Sequence, residues 1–293
     1  LPKLLPNASP PDPFPLITPP LRYSSDSMLP LVSVVTPSYN QARFLEETIH
    51  SVLSQDYPHL EYIIVDGGST DGSLEIIQHY ADRLAWWVSE PDRGQTDALN
   101  KGFARAQGAV FAWLNSDDTY LPGALTQAVA FLQAHPQAAL IYGDANLVDE
   151  QGQVLGPFPA RQTDLRHMLR GSVHIPQQST FFRGELWQKV GPLDPEFYFA
   201  MDYDLWIRLA KHGELLYTAQ RWANFRLHQA GKTQHSDDRC YPEMIRAAHR
   251  LTGHAPIALI SRWYLRRMLY AWLPLRLRLW LRRSIKAPKI IDK

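Results

Sequence analysis

Glu61-Tyr62-Ile63-Ile64-Val65-Asp66-Gly67-Gly68-Ser69-Thr70-Asp71-Gly72-Ser73 passes from an apolar, β-branched run into an acid and a glycine-rich loop. The pattern predicts a buried strand stopping at Asp66, a loop, and a helix carrying Leu74, Ile77 and Tyr80. The same unit comes before it. Leu31 to Asn40 reads as a strand broken at Pro37, followed by a helix with Leu45, Ile49, Val52 and Leu53 on one face. Repeated strand-loop-helix units predict an α/β fold with a parallel sheet. Ligands of such sheets bind beyond the carboxyl ends of the strands, where Tyr39, Asp66 and Asp118 fall.

A third apolar run, Ala112-Trp113-Leu114-Asn115-Ser116-Asp117-Asp118, ends in two adjacent carboxylates. Mg²⁺ and Mn²⁺ take oxygen ligands and are commonly held by one or two carboxylates while substrate phosphates complete the shell. A nucleotide-diphosphate site is therefore expected here. The structural alternative is that Asp117 opens a turn and Asp118 caps the helix after Pro122. The Gly67–Gly72 loop has neither the GxGxxG nor the GxxxxGK[ST] spacing, which disfavours dinucleotide folds and P-loop enzymes. Ser89 to Gly102 reads as a loop entering a helix, where a helix N-terminus together with Arg93 or Lys101 suits a diphosphate.

Four segments in order carry a resemblance: Thr36-Pro37-Ser38-Tyr39-Asn40, Val65-Asp66-Gly67-Gly68-Ser69-Thr70-Asp71-Gly72-Ser73, Glu90-Pro91-Asp92-Arg93-Gly94 through Asn100-Lys101-Gly102, and Asn115-Ser116-Asp117-Asp118. Over roughly residues 31 to 230 the chain resembles the family 2 inverting glycosyltransferases. The resemblance implies the GT-A type of α/β fold, a Rossmann-like, mostly parallel sheet flanked by helices. It also implies Mn²⁺ or Mg²⁺ as cofactor and a nucleotide-diphosphate sugar, expected to be a UDP-sugar, as donor. By position it implies that Asp66 binds the nucleobase in a pocket lined by Pro37 and Tyr39, and that Arg93 lies near the diphosphate. Asp117 is expected at the ribose or a metal-bound water, and Asp118 on the metal.

An inverting transferase needs a base for the acceptor hydroxyl. In the family an acidic pair often opens a helix and its second member is the base. Here Met201 stands in place of the first acid, Asp202 matches the base, and Asp204 is the fallback. A helix N-terminus would lower the pKa of Asp202 and weaken it as a base. Gln177 and Gln178 are candidates for sugar hydroxyls, and His228, in a polar loop after a strand, for the metal. Trp86, Trp87, Trp113 and Trp187 are assigned to packing.

Composition bounds these expectations. The 293 residues, 45% hydrophobic, suffice for one α/β domain and an appendage, and the single Cys240 excludes an intrachain disulfide. Residues 262 to 293 hold ten of the 30 basic residues and one of the 29 acids, so a strongly basic tail follows an acidic body. Between Ile260 and Leu273, Tyr264, Leu265, Met268, Leu269 and Trp272 share one helical arc from which Arg262, Arg266 and Arg267 are excluded, as in a helix lying in a membrane interface. No apolar run reaches the roughly 20 residues that span a bilayer. The expected organisation is a Pro/Ser-rich lead-in at 1–30, a catalytic domain at 31–235 divided near residue 120 into nucleotide and acceptor halves, and a basic helical segment at 236–293. The expected setting is cytoplasmic, peripheral at the inner face of the cell membrane, with a glycan or lipid-linked acceptor and no nucleic-acid partner. Two rivals remain: a sugar nucleotidyltransferase, for which no NTP-binding loop is found, and a sugar-nucleotide or glycan-binding module that has lost turnover, suggested by Met201.

Overall fold

The computed structural model describes residues 29–158, 160–232 and 239–272, with side chains as far as residue 268. The first half alternates β1 (Val32–Ser38), α1 (Ala42–Leu53), β2 (Leu60–Asp66), α2 (Ser73–His79), β3 (Trp86–Ser89), α3 (Gln95–Phe103) and β4 (Val110–Trp113). Next come β5 (Thr119–Tyr120), α4 (Ala124–Ala134), β6 (Ala138–Val148), β7 (Val154–Pro157), α5 (Leu165–Met168), β8 (Thr180–Arg183), α6 (Gly184–Val190), α7 (Met201–Leu209) and β9 (Glu214–Arg226). Helices α8 (Cys240–Thr252) and α9 (Ile257–Trp272) close the described chain. The lead-in before residue 29, the 235/236 boundary and the stretch after Pro274 lie outside the described residues.

The strands form one sheet in the order β3-β2-β1-β4-β8-β6-β9-β5, with β7 paired to β6. β3, β2, β1 and β4 are mutually parallel, whereas β8 runs antiparallel between β4 and β6. Helices cover both faces, which is why β1 and β2 read as continuous apolar runs. Val35, Ile63, Val65, Phe111 and Trp113 point to the side of α3, α6, α7 and α8. Val32, Val34, Tyr62, Ile64, Val110 and Ala112 point to the side of α1 and α4. α1 buries Phe44, Leu45, Thr48, Ile49 and Val52, one stripe at helical spacing. Each fully buried Leu or Ile of such a stripe contributes on the order of 1.5–3 kcal/mol.

Strand order reverses between β1 and β4. From β1 the chain steps outward to β2 and β3, then returns to the opposite side of β1, so a crevice opens between the ends of β1 and β4. α3 is held close over this point. A Cβ on Gly102 would lie 2.4 Å from Val35 Cγ1, so only glycine permits the approach that brings the N-terminus of α3 to the crevice.

The C-terminal helices are built into this body. Met244, Ala247 and Ala248 of α8 and Leu259 of α9 are buried in the same core as Leu205 and Trp206 of α7. On α9, Ile257, Tyr264, Leu265 and Met268 are exposed, and among the described residues no helix is long and apolar enough to cross a membrane.

α7 is anchored by Asp204, whose buried carboxylate accepts from Arg208 Nε at 2.9 Å and Nη2 at 2.8 Å. Arg208 Nη1 also donates to the carbonyls of Val190 (2.6 Å) and Gly191 (3.0 Å). Asp204 is thus committed to structure. Arg208→Ala leaves its buried carboxylate without its paired cation, and stability is expected to fall by about 3–5 kcal/mol. Urea denaturation checks this, and a loss below about 1 kcal/mol would show that the pair is dispensable.

Candidate active site

Three strands end level. Ser38 of β1 lies opposite Asp66 of β2, which lies opposite Ser89 of β3. Asp66 is fully buried. Its carboxylate accepts from Gly68 N (3.1 Å), Ser69 N (2.9 Å), Ser69 Oγ (2.5 Å) and Ser89 Oγ (2.7 Å). Asp66 therefore shapes the glycine loop. That loop is stitched to the end of β1 by Asn40, which sits at φ 51°, accepts from Thr70 N at 2.9 Å and donates its own N–H to Ser69 Oγ at 2.8 Å. Pro37 lies within β1, and the Tyr39 ring beyond it is 63% exposed, free to cover a flat ligand.

A second carboxylate reaches the loop from outside. A Cβ on Gly67 would come within 2.9 Å of Asp92 Oδ2, so glycine leaves room here for the Asp92 side chain. Asp92 Oδ1 accepts from Gly94 N at 2.7 Å. Nothing in the local sequence marks Asp92 as a neighbour of Gly67, because the contact crosses between two strand ends.

Beyond β4 the two adjacent acids part. Asp118 is 1% exposed, and its oxygens accept from Arg226 N at 2.9 Å and Asn115 Nδ2 at 3.4 Å. Burial and the neighbouring Asp117 charge push its pKa well above the carboxylate range. Asp118 does not cap α4, which starts after Gly123. Asp117 turns the other way, with Oδ2 2.8 Å from His228 Nε2. The buried Arg226 braces this turn through Nε to Asp117 O (2.9 Å) and Nη2 to Glu47 Oε2 (2.6 Å). The Phe44 ring lies 5.0 Å from the His228 ring, tilted 56° to it. Strand β9 ends at Arg226, so His228 is delivered by the polar loop in which the sequence placed it.

A hydrogen-bonded chain runs across the crevice. Lys232 Nζ donates to Gln95 Oε1 (2.9 Å), Gln95 Nε2 to Asn115 Oδ1 (2.7 Å), Asn115 Nδ2 to Gln177 Oε1 (3.1 Å), and Gln177 Nε2 to Trp113 O (2.8 Å). Gln95 is the first residue of α3, and its neighbour Thr96 donates to Met201 Sδ at 3.1 Å, so the crevice is walled by α3 and α7. Gln178 is buried and its Nε2 has no hydrogen-bond partner among the described residues.

Asp202 sits in the first turn of α7, after the N-cap Ala200. Contrary to the expectation for a helix N-terminus, its pKa is raised. Burial outweighs the hydrogen bond from Tyr203 N and the nearby Lys232 charge. Lys232 is itself pushed down to about 8, by burial against the pull of Asp202 and Glu243. Its ammonium lies 4.2 Å from the centre of the exposed Tyr198 ring. Arg93 is the exception to this convergence: its 81% exposed side chain pairs with Asp97 at 3.1 Å on the surface. Such exposed pairs contribute about 0–1 kcal/mol, so Arg93 is readily drawn to another anion. Trp113 and Trp187 are core residues, the former stacked on Trp206 at 5.2 Å.

Residues 33–185, just over half of the chain, match the description Glycosyl transferase family 2. The chain belongs to that family. Residues 110–291 also match Glycosyl transferase family group 2. This glycosyltransferase is 35% identical over 184 residues to an uncharacterized glycosyltransferase of Mycobacterium tuberculosis, spanning 62% of this chain and 69% of the relative. It is 40% identical over 132 residues to the putative teichuronic acid biosynthesis glycosyltransferase TuaG of Bacillus subtilis, spanning 44% of this chain and 52% of TuaG. Its fold is that of S. aureus TarS 1-349 in complex with UDP-GlcNAc, with a TM-score of 0.64 at 18% identity over 77% of this chain and 67% of that one. The GT-A expectation is met, with a sheet that is parallel at the nucleotide end and mixed beyond β4.

Proposed function

We propose that this glycosyltransferase moves a sugar, with inversion, from a UDP-sugar to a hydroxyl of a glycan or lipid-linked acceptor in polysaccharide or glycolipid synthesis. One observation carries the reading: the Lys232–Gln95–Asn115–Gln177 chain starts at the lysine beside Asp202, and its Asn115 also donates to Asp118, the neighbour of the His228-paired Asp117. TuaG, by its description a teichuronic acid biosynthesis enzyme, and TarS, described with UDP-GlcNAc, support the substrate class.

Tyr39 covers the base, with the buried Pro37 supporting it from within β1. Asp92, whose Oδ2 carries no hydrogen bond among the described residues, accepts the N–H of the uracil edge in place of Asp66, whose oxygens hold the loop. Asp117 and His228 supply one oxygen and one nitrogen donor, a set that fits a divalent ion completing its shell with diphosphate oxygens. Among the described residues there is no group of three His, Cys, Asp or Glu that would cage an ion without substrate. Bound there, Mn²⁺ or Mg²⁺ offsets the negative charge of the leaving diphosphate. Asp118 braces the pair from behind and is not assigned to the ion. Arg93 exchanges Asp97 for the diphosphate, and Gln177, once released from Asn115 or Trp113, and Gln178 are the candidates for the sugar hydroxyls.

Asp202 takes the proton of the acceptor hydroxyl as that oxygen bonds to the anomeric carbon. The carbon–oxygen bond to the diphosphate breaks on the opposite face and its electron pair leaves with the UDP. A raised pKa suits Asp202 to this task. The exposed Tyr264, Leu265 and Met268 of α9, with Arg262 beside them, favour work at an anionic membrane face, the proposed cytoplasmic setting.

The test is nucleoside diphosphate release from UDP-, GDP- and dTDP-sugars with Mn²⁺, Mg²⁺ or EDTA. Release from a UDP-sugar, lost in EDTA, is expected, and Asp92→Asn should raise the KM for that donor about tenfold by removing a charged acceptor. Donor binding without release, unchanged by Asp202→Asn, would instead mark a binding module.

A further inference from the structure

We propose that Glu243, brought by α8, is a positioning residue for transfer: its carboxylate holds the backbone turn that presents Asp202. This rests on Asp202 being the base.

The first N–H groups of a helix have no partner within it and are commonly capped by a local Ser, Thr, Asp or Asn. At α7 the N-cap is Ala200, whose methyl group accepts no hydrogen bond. One oxygen of Glu243 reaches this terminus from a helix distant in the chain, accepting from the N-cap N–H of Ala200 at 2.8 Å and from the preceding Phe199 N at 2.6 Å. Both are short, charge-assisted bonds. Glu243 is 9% exposed, and Met244, Ala247 and Ala248 on the same helix are buried against α7, so the carboxylate is delivered by a rigid element.

The consequence for Asp202 follows from chain continuity. Phe199 and Ala200 are the two residues before the first helical turn, and Asp202 lies in that turn. Fixing their N–H groups fixes where the turn starts and hence where the Asp202 carboxylate lies. The residue beside Asp202 where an acid was expected is Met201, buried under the Thr96 hydroxyl. The second carboxylate acting on Asp202 is instead Glu243, with the Lys232 ammonium acting on both. Tyr198 and Phe199 close this group, their rings 4.2 Å and 6.0 Å from Lys232 Nζ. Helix α8 is thereby part of the catalytic apparatus rather than an appendage to it.

Three variants of the full chain separate reach from charge. Glu243→Gln keeps an oxygen at the same reach without charge, Glu243→Asp keeps charge without reach, and Glu243→Ala removes both. Two readouts are taken. One is amide exchange of the segment 197–204 by mass spectrometry, which needs no substrate. The other is kcat and donor KM for nucleoside diphosphate release.

Positioning predicts that Ala and Asp deprotect 197–204 alone and lower kcat by about 10–100-fold, as expected for a base misplaced by about 1 Å, with KM within about twofold. Gln should retain protection and return kcat to within about threefold of wild type, since its amide oxygen accepts the same two N–H groups. Unchanged exchange in Ala and Asp overturns the proposal. So does a Gln variant that keeps protection yet loses as much kcat as Ala. If wild type releases no nucleotide from any donor, the transferase reading falls, while exchange still decides whether Glu243 holds the turn.

Discussion

Asp202→Asn is expected to lower the transfer rate by about 10²–10⁴-fold, the range for removing a general base, with donor affinity within about twofold of wild type. Asparagine fills the same volume and still accepts from Tyr203 N through its amide oxygen, so the loss reports proton transfer and not folding. The pH profile supplies a second check. Asp202 works only when deprotonated, and burial raises its pKa, so the rate should climb with pH through a limb lying above the ordinary Asp range. Lys232, at about 8, loses its charge on the alkaline side, and with it the influence that lowers the proton affinity of Asp202. A Lys232→Met variant should therefore move the acid limb upward. Initial rates of nucleotide release between about pH 4 and 9 locate this limb in both proteins. Wild-type turnover by Asp202→Asn would end its assignment as the base.

Asp117→Ala and His228→Ala are each expected to abolish metal-stimulated turnover, by on the order of 10³-fold, and to remove Mn²⁺ binding seen by calorimetry or EPR. Asp118→Ala should behave differently. It strands the Arg226 N–H that Asp118 now accepts, inside a fully packed turn, and should cost about 1–3 kcal/mol of stability. Its loss of turnover should follow from displacement of Asp117, with Mn²⁺ affinity reduced less than in Asp117→Ala. If Asp118→Ala folds normally and alone loses the ion, the two acids have the roles that their position in the motif suggested.

The two acids show where sequence reasoning stops. Adjacent residues beyond a strand share one motif and one composition, yet one accepts from Arg226 N in the interior and the other pairs with His228. That divergence is set by β9, whose last residue supplies both the N–H for Asp118 and the guanidinium over the Asp117 carbonyl. Asp66 shows the same limit. Its place at the end of β2 was legible, but four donors from the glycine loop and from β3 turn it inward. Asp92 and Gln95 lie in a segment the sequence marked, but their contacts with Gly67 and Asn115 were not legible there, and Glu243 carried no local signal, since each acts through a partner distant in the chain.

By itself the sequence determined the strand-loop-helix units over β1, β2 and β4, because a sheet buried on both faces demands unbroken apolar runs and its loops demand glycine and acids. It also determined that the acids, Tyr39 and the α3 N-terminus gather at one end of the sheet, because parallel strands of similar length finish together. Only the tertiary structure decided the antiparallel placement of β8, the pairing of Asp117 with His228, the raised pKa of Asp202 and the hold of Glu243 on α7. These depend on burial and on contacts between residues far apart in the chain, which local periodicity does not encode.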